Sequence, residues 1–255
     1  WIFLGDRYVY KMKKPIQKEL FDLRSLSRRA SNCQEEFRLN NRMAPHIYIG
    51  VLPLNLDSNN KLTLVDSGTP VEWLIKMLRI PGDNMLDQAI RKETITIDEV
   101  TRTVDVLIRH YRRIDPEHIT PIELSQFMMN RIIDTRDDFH RYDFDIDIKL
   151  VDNNSESLML FIKQHRTWQA DRIDNGYVRE VHGDLRPEHV CVRPEPTFID
   201  CLEFSKPLRV MDMADEISYL SLECDLLGRS DIADHIITTY KRLMNDPIEE
   251  KYIHF

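Results

Sequence analysis

The chain has 255 residues, 42% of them hydrophobic and 31% charged. That balance fits an ordinary globular protein rather than a disordered one. A net charge of −8, with no basic stretch beyond short runs such as "KMKK" (residues 11–14), argues against a nucleic-acid binder.

No apolar run reaches the roughly 18 residues that span a bilayer, and no signal peptide is visible. Cys33, Cys191, Cys201 and Cys224 show no CxxC spacing. A cytoplasmic protein with reduced core thiols is therefore expected, without a zinc or disulfide frame. The length accommodates one large domain or two lobes around a cleft. With only 7 glycines, no low-complexity linker divides it. The chain opens on Trp1, so a start upstream is expected.

In chain order, "WIFLGDRYVYKMKK" reads as a β-hairpin: two aromatic and β-branched runs flank a Gly-Asp turn. Val9, Lys11 and Lys13 share one face of its second strand. Periodicity predicts a helix over 25–43 with Leu26, Ala30, Cys33 and Phe37 as its stripe and Glu36 at the stripe's edge. "MAPHIYIGVLPLNL" and "KLTLVDSGTPVEWLIKML" read as further strands around an Asp-Ser-Gly turn.

Past a crossing segment near "KMLRIPGD" the pattern turns helical. "TIDE" (96–99) is a capping-box signature. Helices are expected from there, over 121–140, and over "SESLMLFIKQHRTWQADRID" (155–174) ending at Gly176. "EVHGD" and "VCV…TFID" read as short strands about a tight polar loop, and two helices close the chain, the first stopping near Gly228. The expected architecture is α+β: an N-terminal lobe over 1–79, a sheet with one long helix, and a larger helical C-terminal lobe over 80–255. A ligand is expected between them.

"VHGDLRPEHVCVRPEPTFIDCLEF" (181–204) concentrates the chemistry. Gly183 lets the backbone turn tightly and a substrate come close. Asp184, projecting from that turn, suits proton acceptance from an attacking hydroxyl, with His182 bracing the loop. Asp200 stands at the end of an apolar strand, where a carboxylate needs a cation or a hydrogen-bond cluster; magnesium, a hard ion, takes such ligands. Lys11 on the hairpin and Glu36 on the next helix have the order of a phosphate-binding lysine and the glutamate that holds it. Lys13 and Glu35 are their alternates.

"HGDLRPEH" with "FIDCLEF" resembles the catalytic and metal-binding loops of the aminoglycoside phosphotransferase family, which has the protein-kinase-like fold. "DRYVYKMKKP", "CQEEFRLNNRMAP" and "EWLIKMLRIP" are similar to the matching stretches of a bacterial branch, some of whose members are fused to a P-loop ATP-binding domain.

The resemblance implies an ATP-dependent small-molecule kinase whose partners are a nucleotide and a small hydroxyl-bearing acceptor. Asp184 would be the base, with His182 and Arg186 beside it. Asp200 would bind Mg2+, with His189 and Glu203 as further metal candidates. Lys11 would contact the α- and β-phosphates, held by Glu36, and the backbone at Met77 and Leu78 would meet adenine. A strand and a phosphate-covering loop would precede Trp1.

His189 departs from the pattern, which asks for Asn there. Imidazole suits Mn2+ or zinc better than magnesium. A kinase-shaped binding or regulatory module without catalysis is therefore a competing expectation. A third is a metal hydrolase built on His182, Asp184, His189 and Asp200.

Overall fold

The computed structural model describes residues 1–18, 21–65 and 67–253. The expected hairpin forms: β1 (Ile2–Leu4) pairs antiparallel with β2 (Tyr8–Met12), Leu4 opposite Val9 and Ile2 opposite Lys11. A short separate ribbon joins β3 (Gln17–Lys18) to β4 (Phe21–Asp22). Ser25 then caps α1 (Leu26–Met43), its side chain accepting the Arg28 N–H.

β5 (Tyr48–Leu56), β6 (Leu62–Thr63) and β7 (Thr69–Leu78) complete an antiparallel sheet in the order β1-β2-β7-β5-β6. β7 thus lies between two partners, with Met77 opposite both Val9 and Tyr48. Of the expected Asp-Ser-Gly turn, Asp66 lies outside the described residues. Gly68 has φ +97°, and a Cβ there would sit 2.2 Å from the Leu56 carbonyl oxygen, so only glycine fits.

Helices then dominate. They are α2 (Leu86–Arg91), α3 (Ile97–Tyr111), α4 (Pro121–Arg141), α5 (Ile148–Gln164) and α6 (Arg166–Asp174). Thr96 and Glu99 close the predicted capping box, and Thr120 with Glu123 closes a second one opening α4.

The helix expected over 155–174 is two helices instead. α5 starts earlier, capped by Asp147, and breaks at His165. There the His165 ring stacks on Phe161 at 3.9 Å, and its Nδ1–H donates to the Phe161 carbonyl at 2.9 Å. The Phe161 carbonyl takes the ring in addition to the His165 backbone N–H at 3.1 Å, and His165 itself leaves helical geometry with φ −109° and ψ 32°.

Three short strands follow: β8 (Val178–Glu180), β9 (Val190–Cys191) and β10 (Thr197–Phe198). Then come α7 (Lys206–Arg209), β11 (Val210–Asp212), α8 (Met213–Leu226), α9 (Ser230–Met244) and α10 (Glu250–Ile253). β9 pairs with β10 and β8 with β11, all antiparallel.

The molecule is therefore mixed α+β, with a curled five-stranded sheet at its N-terminal end. A small core of Cys33, Ala44, Tyr48 and Ile75 joins α1 to that sheet. The larger core gathers α2, α3, α8 and α9 around Leu107, Tyr111, Leu185, Ile217 and Ile236. Met43 belongs to the large core, while Ile199 packs on the small one, so each part reaches into the other. All four cysteines are free and buried. Among the described residues no helix is long and apolar enough to cross a membrane.

Candidate functional site

The site lies where β2 and α1 meet the loops after β8 and β10. Alternation along the end of β2 sends Lys11 and Lys13 the same way, toward Glu36 on α1. Glu36 is fully buried, and each of its oxygens takes one lysine: Oε1 is 2.8 Å from Lys11 Nζ, and Oε2 meets Lys13 Nζ. A carboxylate without solvent needs such partners. Lys11 reaches on to Asp200 Oδ1 at 2.5 Å, and Lys13 to Glu203 Oε1 at 2.6 Å. Burial opposes the charge on both lysines, yet the flanking carboxylates win and both are held above the usual lysine range.

A set of backbone anchors builds the Asp200 loop. Ile199 donates its N–H to the His189 carbonyl at 3.0 Å, and Asp200 donates to Tyr48 Oη at 3.2 Å. Cys201 donates to Asn40 Oδ1 at 2.9 Å, and Leu202 to the His182 carbonyl at 3.1 Å. Held this way, Asp200 adopts φ +62°, a left-handed conformation unusual for a residue other than glycine. Its carboxylate stays 46% exposed, so it remains open to a ligand. Burial pushes the Asp200 carboxyl up; the Lys11 charge and hydrogen bond, His189 and Lys13 outweigh it and leave it below the usual range.

The 182–189 loop is braced from within the protein. His182 is wholly buried; its Nε2–H donates to the Ile199 carbonyl at 2.8 Å while Nδ1 accepts the Asp184 N–H at 3.3 Å. Burial lowers its pKa to about 4, so the ring is neutral and both nitrogens are occupied. Gly183 turns at φ +84°, with its α-carbon face against Arg209.

Glu216 on α8 sits behind the loop and accepts the N–H of His182 at 3.2 Å and of Gly183 at 2.6 Å, together with the Tyr111 hydroxyl. Burial raises Glu216 to about 7, against the pull of those donors.

His189 stands between the two exposed carboxylates. Its Nδ1–H donates to the Asp184 carbonyl at 2.8 Å, and the same nitrogen lies 3.7 Å from Asp184 Oδ2. Nε2 faces Asp200 Oδ2 at 3.8 Å. Burial lifts the Asp184 carboxyl above its ordinary value although His189 and Arg186 pull it down.

Lys11, Glu36, Asp184, His189 and Asp200 are thus brought together, and His182 supports them from behind. The other expected residues sit differently. Glu203 is engaged by Lys13 at 2.6 Å. Arg186 turns toward Glu188 at 3.0 Å and Glu223 at 3.7 Å. Met77 packs on the small core, and the Leu78 N–H already donates to the Ile47 carbonyl at 2.8 Å, a bond that an adenine contact from that group would displace.

With both nitrogens committed, His182 has no lone pair for a metal, which removes it from the hydrolase cluster. Glu35, the alternate to Glu36, pairs with Arg38 at 2.7 Å and lies away from both lysines.

Sequence reading missed Glu216, Asn40 and Tyr48. Glu216 did carry a signal. It falls on the same helical face as Met213, Ile217, Leu220 and Cys224, all buried, and an acid on an apolar stripe has a partner to hold.

No family model matches the chain. It is similar to uncharacterized proteins of Mycobacterium bovis and of two strains of Mycobacterium tuberculosis, each 25% identical over 255 aligned residues. The alignments take in 94% of this chain and 47% of the relatives, so the chain spans about half the length of the curated relatives it matches.

Proposed function

We propose that the chain is an ATP-dependent phosphotransferase acting on a hydroxyl of a small molecule. In this reading residues 1–79 and 80–255 are the two lobes of a protein-kinase-like fold, with the nucleotide between them. The observation that carries the proposal is Lys11, gripped by buried Glu36 and reaching Asp200 at 2.5 Å, with Asp184 on the far side of the His189 ring. A lysine held by a helix glutamate beside an exposed aspartate is suited to polyphosphate.

The donor set fits a divalent cation. With His189 Nδ1–H on the Asp184 carbonyl, the tautomer without a second proton would turn the Nε2 lone pair toward Asp200 Oδ2, 3.8 Å away. In that tautomer two acceptors would face each other, which favours a positive charge between them. Asp200 and His189 would hold that ion, and one oxygen with one imidazole nitrogen suits Mn2+ better than Mg2+. When bound, such an ion neutralises charge on the phosphates.

The chain's own residues supply the rest. Lys11 passes from Asp200 to phosphate oxygens while Glu36 keeps its grip, so one ion pair replaces another in a partly buried site. Asp184, a stronger base than a free aspartate because of its burial, takes the proton of the acceptor hydroxyl. Arg186, two residues on, adds positive charge near the base. Glu216 holds the loop so that Asp184 is already in place.

The test is transfer of label from γ-labelled ATP to a mixture of small hydroxylated metabolites with Mn2+ or Mg2+. Asp184→Ala should cost at least about 100-fold; full activity in that variant would end the mechanism. A second reading, nucleotide binding without transfer, draws on His189 in the Asn position. It expects ATP binding with no labelled product under either metal.

A further inference from the structure

The residues around Glu36 form a single chain of alternating charge: Asp200, Lys11, Glu36, Lys13, Glu203. Both ends come from one loop, and the middle comes from β2 and α1. The two halves are not equivalent. Asp200 is 46% exposed and its partner Lys11 is 21% exposed, whereas Lys13 and Glu203 are 9% and 13% exposed.

The open half faces ligand. The closed half has only Glu36 in common with it and, among the described residues, makes the one ion pair between this loop and the β2 segment that does not involve Asp200.

We propose that Lys13 and Glu203 are positioning residues: Glu203 clasps Lys13 so that Lys11 alone serves the nucleotide and Asp200 stays free for the cation. The inference rests on the phosphotransferase reading above. Two ammonium groups share one buried carboxylate, so each needs a second anion. Asp200 and Glu203 supply one apiece.

Without Glu203, Lys13 has no outer partner, and Asp200, which already feels the Lys13 charge, is left to it. A lysine there competes with the cation and pins the loop. The clasp also sorts the two lysines, which sequence alone leaves interchangeable on one strand face. When Lys11 leaves Asp200 for phosphate, the Lys13–Glu203 pair keeps the loop on β2.

The test is calorimetric titration of the intact chain with Mn2+–ATP. Glu203→Gln should bind about tenfold more weakly, within the range of couplings between contacting charged groups. Lys13→Met combined with Glu203→Gln should recover affinity to within about threefold of wild type, because the competing ammonium is gone. A pair that merely stabilises the fold gives the opposite order, the double variant being no better than the single.

Circular dichroism checks that each variant is folded. If Glu203→Gln fails that check, Glu203→Asp, which keeps the charge on a shorter arm, should show a smaller loss that Lys13→Met again relieves. Wild-type affinity in the folded single variant, or a double variant weaker than the single, overturns the clasp. Wild type that ignores Mn2+–ATP altogether overturns the phosphotransferase reading and the clasp with it.

Discussion

At the scale of the residue, two buried groups titrate in opposite senses. Glu216 is raised from 4.5 to about 7, chiefly by burial. Its protonated form favours the fold, so its contribution, on the order of 3 kcal/mol, is complete below pH 4.5 and is lost as pH rises through about 7. His182 is lowered from 6.5 to about 4, again by burial, so its contribution is present above 6.5 and lost as pH falls through about 4.

Between pH 4.5 and 6.5 the two slopes oppose each other. Glu216→Gln removes one of them. Measured by urea unfolding, the stability of the variant relative to wild type should rise by about 3 kcal/mol from pH 4.5 to 8, and parallel curves would show that Glu216 does not titrate. His189 makes a second residue-scale prediction. His189→Asn exchanges an imidazole for an amide oxygen beside Asp200, so the ratio of Mn2+ to Mg2+ affinity, read with ATP present, should drop by about tenfold or more. An unchanged ratio would remove His189 from the cation site.

At the scale of the element, the 182–189 loop is fixed by what packs behind it. Gly183 turns at φ +84°, and a Cβ there would lie 2.9 Å from Arg209 Cγ and 3.3 Å from Leu202 Cβ. Arg209 cannot swing clear: it is buried and bound to Glu180 at 2.6 Å and the Leu202 carbonyl at 2.8 Å. Gly183→Ala should therefore destabilise the protein by about 1–3 kcal/mol and reduce transfer more than it reduces ATP binding, since Asp184 is the next residue. A variant as stable as wild type would show that the turn relaxes freely.

Elements were legible where local chemistry decides them. The Gly5-Asp6 hairpin, the Thr96–Glu99 capping box and α1 follow from turn residues, caps and periodicity. The break at His165 was not legible, because neither glycine nor proline marks it. Lys11, Glu36, Asp184 and Asp200 were brought together in the sequence by the family resemblance, their order along the chain being weak on its own. The Glu203–Lys13 pair was not legible, because its two members lie far apart in the sequence and a carboxylate three residues from a metal candidate reads like another ligand.

At the scale of the whole molecule, the sheet-and-α1 part and the helical part meet at residues that bear charge as well as at the cores. Asp200 and Glu203 reach β2, and Arg42 of α1 reaches Glu180 at 3.1 Å. The helical part is held independently of these contacts. Buried Arg172 binds Asp212 and Asp246, both at 2.5 Å, fixing the start of α8 and hence Glu216. Under the proposed function, the ion pairs of Asp200 and Glu203 to the β2 segment are the contacts a nucleotide would exchange for phosphate.

The most direct test is thermal unfolding of the intact chain with ATP alone, Mn2+ alone, and both together. The account predicts that ATP with Mn2+ raises the melting temperature by about 5–10 °C at a hundredfold excess over Kd, more than the two separate shifts combined, and that Asp200→Asn abolishes the excess. A melting temperature that the pair leaves unmoved, or an Asp200→Asn protein that responds as wild type does, would contradict it.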